Sequence, residues 1–383
     1  MLGGAGIIGR TVVRDLFRFT SDEILVVERD FGKAKHYAET FASPRVIAVQ
    51  AEASNVAQLA RLFKGVDVVA SCVQYTLNLN VMNACLQAGA NYVDLGGMFH
   101  FTKKEMAFYH KHHKAFQKKG ITGILGMGGA PGLSNVLAAY GARELVIVKS
   151  IEIVFADVDN TKYEQRFVLP YSFKTLIDEY MMQPAVFHKG KLRFVTPESG
   201  KKEYDFGTVF GKQKGFLTLH SELATLPQYF KEKGIQRCEF RVTFPAAFNE
   251  VIETLIQLGF ASGDKVRVSG KEVEIREVTA RLMDQWIPKS GTIINDKELV
   301  RVIVHGERAN EVVMDAMSES DGIYPAGVLD TGVPCAIACQ MLASGVITQQ
   351  GVFAPESVIE AELFFAELAR RGIRVERNGK RVN

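Results

Sequence analysis

The feature that most constrains the fold is a glycine-rich stretch near the start of the chain, Gly4-Ala5-Gly6-Ile7-Ile8-Gly9. It fits the pattern G-x-G-x-x-G, in which glycines let the backbone approach a pyrophosphate and the next helix offers free N–H groups. A helix is predicted over Thr11–Thr20 and a strand over Ile24–Glu28, which ends 19 residues after Gly9. This spacing predicts a dinucleotide-binding unit, although a purely structural glycine turn has the same local pattern.

The acidic residue at the end of this strand predicts which dinucleotide binds. Glu28 can accept hydrogen bonds from both ribose hydroxyls of an adenosine, and it would repel a 2′-phosphate. Arg29 lies beside it and would offset part of that repulsion. The sequence therefore favours NAD over NADP.

Residues 1–126 alternate between short apolar strands and amphipathic helices, which predicts an α/β fold with a doubly wound, Rossmann-type parallel sheet. Only Met1 to Gly3 precede the pattern, whereas the strand leading into such a loop needs about five residues. We therefore expect a truncated first strand and residues missing from the N-terminus. The other strands are predicted at Arg45–Val49, Asp67–Ser71, Asn91–Asp94 and Ile121–Leu125.

The second half has longer predicted strands, among them Ser150–Val158, Ala185–Val195, Gln236–Phe244, Leu299–Arg308 and Glu311–Met317. Mixed with helices, they predict an α+β substrate and dimerisation domain. We expect a dinucleotide-binding domain over 1–130, the α+β domain over 131–328, and C-terminal helices over 329–383 that return to the first domain. An open sheet face often forms a subunit interface, so we expect a homodimer.

Charge and composition exclude several classes of function. The chain has 46 basic and 43 acidic residues without a basic stripe, so no nucleic acid is expected as a partner. The sequence contains no window of about 18 uncharged apolar residues, so no membrane span is predicted. The N-terminus lacks the basic stretch, apolar run and small-residue cleavage site of a secretory signal, so we expect the cytoplasm. The five cysteines form no C-x-x-C pair, and an odd number in a long chain does not predict a disulfide framework. We expect no metal site, because Lys111 and Lys114 lie among His110, His112 and His113 and would repel a cation.

Three segments carry a resemblance to a known family. They are the glycine-rich opening with Asn91–Gly97, the run Gly128-Gly129-Ala130-Pro131-Gly132-Leu133-Ser134-Asn135, and Thr331–Leu342. Together they resemble the saccharopine dehydrogenase-like family, and Ala130 before the Pro-Gly pair is similar to its lysine 6-dehydrogenase branch. The resemblance implies an NAD(P)-dependent oxidoreductase that acts on a carbon–nitrogen bond of an amino acid, L-lysine being the first candidate and saccharopine the second.

Cofactor contacts beyond the glycine loop are predicted at the ends of two strands. Ser71 and Cys72 end the strand that, in the family fold, borders the sugar and nicotinamide of the cofactor. Ala130 and Pro131 lie in a loop at the carboxyl edge of the sheet, where ligands bind in open α/β folds. The alternative for this loop is a plain turn between domains.

Amine oxidation requires a group that accepts a proton, and three residues are candidates. Asp94 ends a strand at the ligand edge, but it could instead cap a turn. Tyr75 could line the pocket or pack in its loop. His220 matches a His and hydroxyl cluster of the resembling enzymes, or is a lone histidine.

Arg241 and Thr243 are the candidates for binding the substrate carboxylate. They are two positions apart on one face of a predicted strand, and a guanidinium with a hydroxyl suits a carboxylate. A protein of another class, a non-catalytic dinucleotide-sensing or assembly protein on the same fold, remains the alternative to an enzyme.

Overall fold

The computed structural model describes residues 1–97, 112–165, 167–286, 288–289, 291–308 and 310–383. Its strands are β1 (Ile24–Glu28), β2 (Val46–Gln50), β3 (Val68–Ser71), β4 (Asn91–Asp94), β5 (Thr122–Ile124), β6 (Val148–Asp159), β7 (Ala185–His188), β8 (Lys191–Phe194), β9 (Lys202–Asp205), β10 (Lys212–Leu217), β11 (Arg237–Thr243), β12 (Lys265–Val268), β13 (Lys271–Glu274), β14 (Asp296–Gly306), β15 (Glu311–Glu319), β16 (Gly351–Phe353), β17 (Arg374–Arg377) and β18 (Lys380–Arg381).

The helices are α1 (Ile7–Phe19), α2 (Phe31–Glu39), α3 (Val56–Leu62), α4 (Asn78–Ala88), α5 (described over 112–119), α6 (Leu133–Gly141), α7 (Phe173–Met181), α8 (Gly207–Phe210), α9 (Leu226–Tyr229), α10 (Ala246–Gln257), α11 (Ile275–Met283), α12 (Ala326–Ala343) and α13 (Ala361–Arg370). Short 3-10 helices cover Tyr75–Leu77, Ser221–Ala224, Lys231–Lys233, Asp284–Trp286 and Pro355–Ser357.

The first sheet is parallel and has the order β2, β1, β3, β4, β5 and β16, with the second residue of the chain between β1 and β3. Leu2 forms parallel bridges with Val27 and with Ser71. The Met1 ammonium donates to the Leu25 carbonyl at 2.8 Å. A single bridging residue thus takes the central place in a doubly wound sheet, and the prediction of a Rossmann-type fold is confirmed.

The second sheet has ten strands and mixed direction. Eight follow the order β18, β17, β15, β14, β6, β11, β10 and β9, while β7 pairs with β11 and β8 pairs with β7. The β6–β11 pair is parallel and the other pairs are antiparallel. The predicted strand Ala185–Val195 is a hairpin, because Lys189 and Gly190 have φ of 50° and 72° and turn the chain.

The two faces of this sheet have different neighbours, because successive side chains of a strand point to opposite sides. The inner face carries Ile153, Phe240 and Val302, which belong to the core shared with the first domain. The outer face carries Val154 and Leu299, which pack under Tyr204, Phe206 and Phe210. A residue can therefore reach the space between the domains only from the inner face.

The C-terminal segment joins both sheets. Helix α12 packs against α1, and β16 then extends the parallel sheet beside β5. After α13 the chain pairs β17 with β15 of the second sheet. Helix α12 has the length and hydropathy of a membrane span, yet 72% of it is buried inside the protein, as in a core helix. The three predicted domain ranges remain a prediction.

Candidate active site

The glycine-rich loop is tightly folded between β1 and β3. A Cβ atom on Gly9 would lie 2.1 Å from the Gly3 carbonyl oxygen, so only glycine fits there. Helix α1 follows at once, and no side chain caps its start at Gly6. The open N–H groups of this first turn suit a pyrophosphate, so Gly4 to Gly9 fit a dinucleotide.

Glu28 lies where the sequence places it, at the end of β1 beside the loop. Its Oε1 atom accepts a hydrogen bond from the Ala5 N–H at 2.8 Å. Arg29, the next residue, is exposed. Both residues are therefore close to the point where α1 starts, at the side of the loop that an adenosine ribose would occupy.

Ser71 and Cys72 lie on the other side of the loop. The Cys72 N–H donates to the Leu2 carbonyl at 2.9 Å, which holds the end of β3 against the loop. The Ser71 hydroxyl donates to Asn78 at 3.3 Å, and the Asn78 amide donates to the Gly96 carbonyl at 3.2 Å. These contacts bring the ends of β3 and β4 together at the carboxyl edge of the sheet.

The loop after β5 reaches the same edge through Pro131. The Ala130–Pro131 peptide bond is cis. A Cβ atom on Gly96 or on Gly126 would lie 2.7 Å from the Pro131 ring, so two glycines allow the proline to pack between the loops. Ala130 and Pro131 are therefore adjacent to the loop after β4, as the prediction requires.

Asp94 is fully buried and does not face the space between the domains. Its Oδ1 atom accepts from the Gly96 N–H at 2.8 Å and from the Gly126 N–H at 2.6 Å, while Oδ2 accepts from the Tyr92 hydroxyl at 2.9 Å. Burial raises the pKa of Asp94 to about 6, although these hydrogen bonds oppose the shift. The geometry favours the turn-capping alternative over the predicted proton acceptor.

His220 combines the properties expected of a proton-transfer residue. Its ring stacks on Phe240 of the inner face, with centroids 3.8 Å apart, and its Nδ1 atom is hydrogen-bonded to Glu222. Burial lowers the pKa of His220, but the charge and hydrogen bond of Glu222 and the charge of Glu179 outweigh it and raise the pKa above 6.5. No hydrogen bond to Nε2 occurs among the described residues, so this nitrogen is left for a ligand.

The partners of His220 were not predicted as site residues. Glu222 is completely buried and accepts from the Ser134 hydroxyl at 2.7 Å. Glu179 is hydrogen-bonded to the Tyr171 hydroxyl, and burial raises its pKa to about 7. The Ser134 contact ties His220 to the start of α6, directly after the Pro131 loop. The sequence could have indicated Glu222, because it follows His220 by two residues. No sequence pattern indicates that Glu179 lies near His220.

Tyr75 connects the two domains across the space between them. Its hydroxyl donates to Asp178 of α7 at 3.2 Å, and Arg276 pairs with the same carboxylate at 2.7 Å. Burial and the Asp178 charge raise the pKa of Tyr75 to about 12. Because this phenol holds its proton at neutral pH, the geometry favours a positioning contact over the predicted catalytic one.

Arg241 and Thr243 share one face of β11, as predicted, but that face is the outer one. Arg241 is buried and pairs with Glu152 at 2.5 Å and with Glu239 at 2.8 Å. Thr243 donates to the Phe155 carbonyl at 2.9 Å. The structure does not bring either residue to His220, because Phe240 points to the opposite side of the strand. Their binding of the substrate carboxylate stays a prediction, which this placement does not favour.

The histidine cluster falls partly in an undescribed stretch. His110 lies outside the described residues, as does Lys111. Nδ1 of His113 accepts from the Val352 N–H at 3.2 Å, so this histidine packs against β16. No group of three His, Cys, Asp or Glu side chains within the described ranges is arranged to hold a metal ion.

Two family models match the chain and together cover nearly all of it. The saccharopine dehydrogenase NADP binding domain matches residues 1–124, and the saccharopine dehydrogenase C-terminal domain matches residues 128–373. The first match identifies residues 1–124 as a pyridine-nucleotide-binding domain, and the glycine-rich loop fits a cofactor of this class.

Curated relatives match over almost their full length at low identity. The chain is 23% identical to carboxyaminopropylagmatine dehydrogenase of Synechocystis sp. (strain ATCC 27184 / PCC 6803 / Kazusa), covering 97% of this chain and 96% of that protein. It is also 23% identical to carboxynorspermidine synthase of Vibrio cholerae, covering 93% of this chain and 91% of that protein.

Solved structures share the whole fold. The apo saccharopine dehydrogenase (L-Glu forming) of Saccharomyces cerevisiae superposes with a TM-score of 0.75 at 15% identity, covering 100% of this chain and 99% of that one. The homospermidine synthase of Legionella pneumophila, solved with NAD, superposes with a TM-score of 0.68 at 13% identity. The match covers 99% of this chain and 90% of that one.

These matches confirm the predicted enzyme class, a pyridine-nucleotide-dependent dehydrogenase that acts on carbon–nitrogen bonds. The non-catalytic alternative finds no support in them. Both halves of the chain, from the glycine loop to the C-terminal strands, match the two domains of a single family. The chain belongs to the saccharopine dehydrogenase family.

Proposed function

We propose that this dehydrogenase acts on the carbon–nitrogen bond of a carboxylated polyamine, with His220 as the proton-transfer residue. The observation that carries the proposal is the position of His220, stacked on Phe240 and bonded to Glu222 beside the Pro131 loop. His220 is thus a titratable group on the inner face of the second sheet, the face that packs against the first domain.

The substrate class is drawn from the named activities of the relatives, which concern carboxyaminopropylagmatine and carboxynorspermidine. L-Lysine is the second candidate, because Ala130 precedes Pro131 as in the lysine 6-dehydrogenases that the sequence resembles. Both candidates are amino acids with at least one further basic nitrogen, so the same chemistry applies to them.

Three residues around His220 have separate roles in the proposed reaction. Glu222 accepts from Nδ1 of His220 and fixes its tautomer, so Nε2 exchanges a proton with the substrate nitrogen or with water. Glu179 adds a second negative charge that favours the protonated ring. A bound pyridine nucleotide would accept or donate the hydride at the substrate carbon. Tyr75 holds the two domains together through Asp178 and limits the entry of water.

We further propose NAD as the preferred nucleotide, although the family name refers to NADP. The support is Glu28, whose carboxylate lies against the glycine loop at Ala5 and would repel a 2′-phosphate. Arg29 favours NADP instead, since its exposed guanidinium could pair with such a phosphate.

Assembly and compartment remain proposals as well. We propose a homodimer formed through the outer face of the second sheet, where Val209 of α8 is 50% exposed. Light scattering on the purified protein tests it, and a monomer at micromolar concentration would contradict it. A reducing compartment such as the cytoplasm suits the five cysteines, which are all free thiols in the structure.

The experiment that tests the proposal replaces the titrating ring. His220→Gln keeps a donor for Glu222 but cannot titrate, so kcat/KM should fall about 100-fold or more while NAD affinity stays within a few-fold. His305→Gln is the matched control, because His305 also lies beside a glutamate, Glu311 at 3.3 Å. Equal activity of the two variants would refute the role of His220.

A further inference from the structure

We infer that Ser134 is a positioning residue for the proton transfer, because its hydroxyl donates to Glu222 and favours the state in which the His220 ring is neutral and can accept a proton. Ser134 belongs to the run over residues 128–135, whose last two members have no role in the proposed function. The inference rests on that function and deepens it, because it names the residue that adjusts the protonation of the proton-transfer group.

The start of α6 fixes the Ser134 hydroxyl in place. The Ser134 N–H donates to the Gly129 carbonyl at 3.0 Å. Gly132 has a φ of 129°, and a Cβ atom there would lie 2.3 Å from the Gly128 carbonyl oxygen, so the chain makes this turn only with glycine. Ser134 is therefore carried by the loop that contains Pro131, at the carboxyl edge of the first sheet.

The Ser134 hydroxyl contacts the carboxylate that holds the histidine ring. It donates to Oε1 of Glu222 at 2.7 Å, while Oε2 of the same carboxylate is hydrogen-bonded to Nδ1 of His220. Ser134 and Glu222 are both completely buried, so bulk solvent cannot replace this donor. In the part of the chain that the structure describes, no Lys or Arg pairs with Glu222. The hydroxyl therefore stabilises a buried negative charge that no permanent cation balances.

Other titratable groups face this pair from α7, from β11 and from the 3-10 helix Pro355–Ser357. Burial lowers the pKa of His220, but the negative charges of Glu222 and Glu179 raise it. Burial raises the pKa of Glu356 to about 6, and the Glu222 charge adds to this shift. Burial also raises the pKa of Cys238 well above its usual range, so this thiol stays neutral. The neighbouring carboxylates thus favour the protonated ring, and the serine hydroxyl opposes them.

The hydroxyl contributes more to the state with the neutral ring than to the state with the charged ring. When the ring is protonated, its positive charge stabilises the Glu222 carboxylate directly. When the ring is neutral, the buried carboxylate depends more on its other donors, of which the Ser134 hydroxyl is one. Removal of the hydroxyl should therefore raise the pKa of His220 by about 1, so that the ring stays charged where the wild-type ring accepts a proton.

NMR of the full-length protein with labelled histidine measures this pKa directly. The chain has eight histidines, and the His220 signal is the one that disappears in His220→Gln. Ser134→Ala should raise the pKa of His220 by about 1, whereas Ser134→Thr keeps the hydroxyl and should stay within about 0.3 of wild type. Thr279→Val is the matched control, because it also removes a buried hydroxyl donor, one bonded to the Ile275 carbonyl at 3.0 Å, and should leave the pKa unchanged.

The pH profile of amine oxidation is the second readout. In Ser134→Ala the acid limb of kcat/KM should move to higher pH by the same amount as the pKa of His220. Activity should then fall about tenfold below both pKa values and stay within about twofold above them, whereas a purely structural loss would lower it at every pH. Ser134→Cys, which has nearly the same size but a weak donor, takes the place of Ser134→Ala if that variant does not fold.

An unchanged or lower pKa of His220 in Ser134→Ala, or an equal rise in Thr279→Val, would overturn the inference. The NMR measurement is separate from catalysis, so the two proposals can fail separately. A raised pKa in Ser134→Ala, together with full activity of His220→Gln, would support the link between hydroxyl and ring and refute the proposed function. Loss of activity in His220→Gln, with no change of pKa in Ser134→Ala, would do the reverse.

Discussion

Replacing Asp94 by asparagine distinguishes a structural carboxylate from a catalytic one. Asp94 joins the loops after β4 and β5 through the Gly96 and Gly126 N–H groups, and its side chain has no exposed surface. Asparagine keeps an oxygen acceptor for these two N–H groups and loses the ionisable oxygen near Tyr92. The D94N variant should therefore fold, and its turnover rate should stay within about tenfold of wild type.

The magnitude of the stability effect follows from the pKa of this group. Burial raises the pKa of Asp94 from 3.8 to about 6, so the folded protein retains a proton that the unfolded chain has already lost. The free energy of unfolding of wild type therefore decreases as pH rises from about 4 to about 6, by about 3 kcal/mol from this residue. The D94N variant lacks this contribution, while every other titrating group contributes equally to both proteins.

Urea unfolding at several pH values between 4 and 7 measures that difference. The unfolding free energy of D94N relative to wild type should rise by about 3 kcal/mol across the interval. Asp22→Asn, which alters an exposed carboxylate, is the control and should show no such change. Parallel pH curves for D94N and wild type, combined with turnover that is slower by about 100-fold or more, would refute the structural role and restore Asp94 as the proton acceptor.

Two further predictions concern the cofactor and the domain contact. Glu28→Ser should lower the NAD over NADP ratio of kcat/KM about tenfold or more, because a like-charge repulsion is removed; a wild-type enzyme that already prefers NADP would contradict the role of Glu28. Tyr75→Phe removes the hydrogen bond to Asp178 and should cost about 1 kcal/mol of stability while turnover stays within a few-fold, measured by thermal melting and initial rates; turnover slower by about 100-fold would show that the phenol takes part in the reaction.

Local patterns predicted the nucleotide half of the protein well. The glycine loop, the helix after it and the acidic strand end are encoded within 28 residues, and the structure places Glu28 against Ala5. Short-range geometry was sufficient for these features.

The second half depends on contacts that no local pattern encodes. The alternation along β11 correctly placed Arg241 and Thr243 on one face, but only the packing of the whole sheet decides which face meets the other domain. Ser134, Glu179 and His220 are far apart in sequence and meet only through the packing of the elements that carry them. Nothing local to any one of them predicts that meeting.

The central claim, that this dehydrogenase acts on a carboxylated polyamine, is tested most directly by following the near-ultraviolet absorbance of the reduced nicotinamide. The panel is carboxynorspermidine, carboxyaminopropylagmatine, saccharopine and L-lysine, each assayed with NAD and with NADP. We predict the highest kcat/KM for a carboxylated polyamine with NAD, and at least about tenfold less for L-lysine. Turnover of saccharopine or L-lysine alone, or none from any donor by a protein that binds NAD, would contradict it.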